Sequence, residues 1–208
     1  MKKFFPTLLA ASLMLLGTQA YAQKSVNVGY LNSTQSFKNS DGVNSNGVYA
    51  GVSFNLPLAG GFSVAPGVYY SLIANKSGGS GEIFGIPVSA SSSFVEHALN
   101  VPLYLNYGFP LARDTKFLIY AGPTAQCGLA STTRLSGGVG KEEGGKVYNN
   151  YEGNLNRFNV YLGGGVCFQV AGFQINVGYD YGMVNLYKGE KATKTHRSNL
   201  KVGLGYLF

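Results

Sequence analysis

From Val26 onward the chain alternates apolar and small or polar residues, with turn residues at regular intervals. Eight segments show this period of two, which is the signature of strands with one apolar face. The first sets Val26, Val28 and Tyr30 on one face. The second sets Val48, Ala50, Val52, Phe54 and Leu56 against Tyr49, Gly51, Ser53 and Asn55. The third carries Phe62 to Leu72, the fourth Leu99 to Tyr107 and the fifth Phe117 to Ala125. The last three run through Phe158 to Phe168, Phe173 to Tyr181 and Leu200 to Phe208. Each is about 9–12 residues long, the length of a tilted strand that crosses a bilayer. The apolar faces carry no charge, as lipid requires, because Lys or Arg at the bilayer midplane costs about 2–4 kcal/mol.

The connections alternate in length. Pro57–Gly61, Gly108–Asp114 and Ala171–Gly172 are short. Asn32–Asn46, Ala74–Ser92 and Ala130–Leu155 are long, and Lys188–Thr195 is intermediate. Short inner turns alternating with long outer loops fit an outer-membrane barrel. An even number of strands closes the sheet and leaves no edge facing lipid. The pattern therefore predicts an all-β chain: an eight-stranded antiparallel transmembrane β-barrel, wound as an up-and-down meander. The Gly- and Ser-rich stretches 77–81 and 137–145 read as mobile loops. Pro66, Pro102 and Pro123 fall inside strands, where each removes a ladder donor; Gly67 and Gly122 beside them suggest local bulges or bends.

Composition agrees with this picture. Only 12% of residues are charged, against 45% hydrophobic, and 30 are glycine. That excludes a disordered chain. No apolar run after the first 22 residues approaches the ~18–20 needed for a spanning helix. Lys2 and Lys3, the apolar run 4–16 and Ala20-Tyr21-Ala22 read as a signal peptide cleaved between Ala22 and Gln23. Residues 23–208 then form one barrel domain in the cell outer membrane. The formal charge of +7 includes the two signal lysines. In an exported chain it points to anionic membrane surface rather than nucleic acid.

Three stretches carry a family likeness: Phe62-Ser63-Val64-Ala65-Pro66-Gly67-Val68-Tyr69-Tyr70-Ser71, Leu99-Asn100-Val101-Pro102-Leu103-Tyr104-Leu105 and Tyr179-Asp180-Tyr181-Gly182. On these the chain resembles small Gram-negative outer-membrane β-barrel proteins, and most closely the PorT-like barrel-domain family. Its end, Gly203 to Phe208, is similar to the C-terminal signal read by the outer-membrane assembly machinery, with Tyr206 and Phe208 as its aromatic residues. The resemblance implies a fold and a location, not a reaction.

Candidate sites are few. An eight-stranded barrel is just wide enough to be filled by side chains, and Tyr49, Tyr69, Tyr104, Tyr120 and Tyr161 have inward parity. Of the inward charges, Asp180 and Lys201 sit at equal height on neighbouring strands and should pair. Glu96 and Arg157 fall near the outer rim, two strands apart. These four are read as a structural charge network in the lumen. His196-Arg197-Ser198-Asn199 is similar to the His-x-Ser-Asn motif of lipid A deacylases, which implies Ser198 as nucleophile and His196 as its base; Glu190 is the nearby acid that would orient the histidine. Both have outward parity near the rim, within reach of a lipid ester. Lys188, Lys191, Lys194 and Arg197 either meet lipopolysaccharide phosphates or form a solvated face. Cys127 and Cys167 have opposite parity and lie on the order of 25 Å apart, too far for a disulfide. No metal spacing, phosphate loop or other cofactor motif stands out.

The expected role is structural or surface-interacting, in a monomer that presents long extracellular loops and contacts outer-membrane lipid and lipopolysaccharide. A lipid A deacylase-like enzyme is one alternative. A narrow, porin-like channel, or a component of a secretion or adhesion system, is the other.

Overall fold

The computed structural model describes residues 23–37, 40–83, 86–139, 142–153, 155–188 and 195–208. The expected signal peptide, with Ala22, lies outside them; Gln23 opens the first strand. Among the described residues there are nine strands: β1 (Gln23–Phe37), β2 (Ser40–Pro57), β3 (Phe62–Ile83), β4 (Ile86–Ala112), β5 (Thr115–Val139), β6 (Glu142–Asn149), β7 (Phe158–Val170), β8 (Phe173–Gly182) and β9 (Thr195–Leu207). All pair antiparallel. β1 pairs with both β2 and β9, β4 with β5, and β5 with β7, so eight strands close a ring. β6 is outside the ring and pairs with the far half of β5, from Thr132 to Val139. The chain ends meet at the seam, where Lys24 and Phe208 exchange backbone hydrogen bonds of 3.0 and 2.8 Å.

The alternation read from the sequence is the alternation of the wall. On β1, Val26, Val28 and Tyr30 face outward while Ser25, Asn27, Leu31 and Ser33 are buried inside. On β9, Leu200, Val202, Leu204 and Tyr206 face outward. Polar residues fill the interior and large apolar ones coat the exterior, the inverse of a water-soluble barrel and the arrangement that a lipid environment selects. Aromatic rings cluster on the outside at the short-turn end: Phe62 against Tyr107 at 4.8 Å, Tyr107 against Phe109 at 4.6 Å and Phe173 against Tyr206 at 5.1 Å. A second set rings the opposite end, with Tyr70 beside His97 and Tyr181 stacked on His196.

The long connections are not irregular loops. β3 and β4 stay paired from Ala74/Val95 to Ile83/Ile86, and β4, β5 and β6 continue beside them. The stretches 77–81 and 137–139 are laddered strand, and 142–145 pairs back onto β5. A four-stranded sheet, β3 to β6, thus rises about 25 Å beyond the ring. Ladders need only backbone N–H and C=O groups, so Ser and Gly sustain them without the apolar alternation that marks a lipid-facing strand.

The prolines, expected to bulge or bend their strands, do not shift the register. Register is unchanged on either side of each: Ser53↔Gly67 and Leu56↔Val64 flank Pro66, and Pro102↔Thr124 and Leu105↔Ala121 flank Pro123. The ladder skips bonds at these places without a bulge. The true register shifts are at His97/Ala98, Pro110/Ala112 and Gln35/Phe37. At the first, Leu129 and Ala130 are both exposed before Ser131 turns inward again. A missing donor weakens one rung, whereas a bulge needs an extra residue.

The β7–β8 turn has only two residues, Ala171 at φ 47° and Gly172 at φ 89°. Two positive φ values match the right-handed twist of the strands, but alanine is strained there by roughly 1–2 kcal/mol. Ala171→Asn is expected to raise stability by about 1 kcal/mol, read as a higher urea midpoint for unfolding from detergent or lipid.

Candidate functional site

The lumen is organised in two levels. In the upper one, toward the long hairpins, Glu96 of β4 meets Arg197 of β9. Nη1 and Nη2 donate to Oε1 and Oε2 at 2.6 and 3.0 Å, and the side chains are 2% and 1% exposed. β4 and β9 stand four strands apart in the ring of eight, so this bidentate pair crosses the whole lumen. Tyr161, fully buried beside it, donates its hydroxyl to Gln126 at 3.0 Å.

Above this pair the segment between β6 and β7 folds over the mouth. Tyr151, Leu155 and Leu186 form a small buried cluster with Tyr187 packed against it. Its backbone is tied to the β8–β9 connection: Asn156 donates to the Leu186 carbonyl at 2.8 Å, and Leu186 to that of Thr195 at 2.9 Å. The Tyr151 hydroxyl lies directly over Gly128, where even a Cβ would stand 1.8 Å from it. Burial pushes the Tyr151 phenol above its ordinary range, and the Glu96 carboxylate adds to the effect.

The lower level holds a polar network. Lys201 Nζ pairs with Asp180 Oδ2 at 2.6 Å and donates to the Tyr104 hydroxyl at 3.0 Å. Asp180 lies opposite Asn199, and Lys201 opposite Gly178, so the pair forms on the diagonal. Tyr49 donates to Asn176 at 2.9 Å, and Asn27 to Tyr69 at 3.2 Å. The Gly163-Gly164-Gly165 run of β7 makes room for these groups. A Cβ on Gly163 would lie 2.0 Å from Asp180 Oδ1, and one on Gly165 2.6 Å from the Tyr120 hydroxyl.

Placed against the expectations, Asp180 and Lys201 come together, and Glu96 and Arg157 do not. Arg157 precedes β7, is exposed, and lays its guanidinium 4.9 Å from the Tyr151 ring centre. Strand height alone suggested Arg157; an arginine long enough to span the lumen from β9 takes the carboxylate instead. Arg197 is consequently removed from the basic cluster expected to meet lipid phosphates. Lys188 is exposed, and Lys191, Lys194 and Glu190 lie outside the described residues.

His196 stacks on Tyr181 at 5.7 Å, with its Nδ1 bound to the Gly182 carbonyl at 3.0 Å. Ser198 has outward parity yet is only 8% exposed, set between Thr34 of β1 and Tyr181 of β8. Outward parity therefore does not by itself leave this serine exposed on the wall. Cys127 and Cys167 are both free: Cys127 sits opposite Phe158 at the start of β7, and Cys167 opposite Leu118 near the short-turn end. Sequence reasoning missed the roles of Tyr151 and Gln126, because the residues they meet are far away in the chain.

Over residues 16–188 the sequence matches the profile of the outer membrane protein beta-barrel domain. The chain belongs to this family. It is an all-β barrel of the outer membrane. No curated protein matches it in sequence. Among solved structures, this outer-membrane barrel is similar to Ail, the attachment invasion locus protein of Yersinia pestis, in complex with the heparin analogue sucrose octasulfate, at 14% identity and a TM-score of 0.47, covering 90% of this chain and 99% of that one. It is similar to Neisserial surface protein A at 13% identity and 0.45, covering 90% and 99%. It is also similar to the outer membrane enzyme PagL at 11% identity and 0.43, covering 86% and 98%. Likeness at this level says nothing of what the chain binds or does.

Proposed function

We propose that this protein is a closed, non-enzymatic barrel that works at the cell surface, as a rigid stem for the β3–β6 sheet and the β1–β2 hairpin. The observation that carries this reading is the two-level closure of the lumen: a transluminal Glu96–Arg197 pair beneath a packed cap of Tyr151, Leu155 and Leu186. A pore would need both removed. The long hairpins are assigned to the extracellular side, the short turns to the periplasm, and the N-terminal 22 residues to a cleaved signal peptide. Within the family, the three stretches quoted above support a PorT-like member. The barrel is taken as a monomer whose outer band meets lipid and lipopolysaccharide, with exposed Lys188 available to phosphate groups.

Planar-bilayer recording tests the closure: purified protein is expected to give no steady unit conductance, and a regular open level would sink the reading. Trypsin added to intact cells is expected to cut after Lys146, which is exposed on β6. Cutting only after the outer membrane is opened would reverse the orientation. The enzyme alternative is separated by lipid A acylation, which is expected to be the same in cells carrying wild type or Ser198→Ala.

A further inference from the structure

Below the Glu96–Arg197 pair the lumen is not fully packed. It holds a cavity of about 140 Å³. Tyr49, Tyr69, Tyr104 and Tyr120 stand around it, with amides from seven of the eight ring strands. Its lowest lining residues, Asn55, Gln169 and Gln174, are partly exposed beside the short turns. Its upper end is sealed by Arg197 and Tyr161, each 1% exposed. The cavity is therefore a blind cup that opens toward the short-turn end.

The chemistry of the wall is specific. Asparagine and glutamine each donate and accept, and use only part of that capacity on one another: Gln126 donates to Asn100 at 2.9 Å, which donates to Ser71 at 2.8 Å. Asn199 lines the cup at 7% exposure, and among the described residues its Oδ1 has no hydrogen-bond partner. Among the described residues the only charges lining the cup, Asp180 and Lys201, neutralise each other at 2.6 Å. Tyrosine faces offer apolar surface to C–H groups. A cavity of about 150 Å³ takes one bare six-membered ring, so a ring carrying hydroxyl groups fills this one and extends into its open, short-turn end.

We propose that the cup is a binding site for one neutral, polyhydroxylated six-membered ring of monosaccharide size, admitted from the short-turn end. Amides and phenols match hydroxyl groups that both donate and accept, tyrosine faces match the ring, and the cancelled charge disfavours ionic ligands. This goes beyond the surface role, which concerns the opposite end of the barrel.

Cys167 lines the cup and Cys127 sits on the outer wall, so the native thiols report on it. The folded full-length mature barrel in detergent is treated with methyl methanethiosulfonate, and each site is quantified by mass spectrometry. Cys167 is expected to react, and 50 mM glucose or myo-inositol to slow it at least fivefold with Cys127 unchanged. Glucose 6-phosphate and glucosamine are expected to leave both rates unchanged. Ala65→Leu, which fills the cup, is expected to abolish the sugar's effect. The proposal is overturned if Cys167 does not react without sugar, if neutral rings do not slow it, if charged sugars protect equally, or if Ala65→Leu retains protection. Should that variant fail to fold, wild-type tyrosine emission serves, since the chain has no tryptophan; a saturable change with glucose is expected, and none overturns the site. Failure here leaves the conductance result untouched.

Discussion

Replacing Arg197 with alanine is expected to lower the unfolding free energy by about 3–5 kcal/mol, because it strands a buried carboxylate. Glu96 is 2% exposed and both of its oxygens are held by this one guanidinium. Without it the carboxylate must either take up a proton or draw water into the upper lumen, and the cap at Tyr151 loses its floor. The double replacement Glu96→Gln with Arg197→Met removes both charges and keeps the volume, so it is expected to recover most of the loss. Urea unfolding from lipid vesicles, followed by heat-modifiable mobility on gels, measures both. An Arg197→Ala variant within about 1 kcal/mol of wild type would show that the pair does not hold the two walls together.

Removal of Phe208 is expected to have the larger cellular effect, a loss of insertion. Phe208 is exposed on the lipid side at the foot of β9, and its backbone closes the seam through Lys24. Its deletion takes the terminal aromatic from the C-terminal signal and two hydrogen bonds from the last rung. A closed barrel has no alternative partner for that rung, since an open edge cannot face lipid. Cell fractionation is expected to find unfolded protein in the periplasm and no heat-modifiable band. Normal insertion of the truncated chain would remove the C-terminal strand as the recognition element.

The wall of the barrel was legible from the chain because lipid imposes a rule on every second residue. Val26, Val52, Leu103, Val160 and Leu204 face out for the same reason, and each can be assigned without reference to any other strand. The short turns were legible too, from Gly60-Gly61 and Ala171-Gly172. Inward parity placed the five tyrosines, and strand height brought Asp180 to Lys201, because these two are on neighbouring strands joined by one connection.

What parity and height do not encode is who stands across the lumen. Glu96 and Arg197 are 101 residues apart, and become partners only when the ring closes and puts β4 opposite β9. The same closure brings Tyr151 over Gly128 and gathers amides from seven strands around one cavity. The extended sheet was hidden for a different reason: Ser77–Ser80 and Ser89–Ser93 pair through their backbones, which leaves no mark in the side chains. Sequence alone determined which face each strand shows to lipid, a local property set by solvent. The tertiary structure decided the transluminal ion pair, the cap and the cup, because each depends on distances across a closed ring that no local pattern carries.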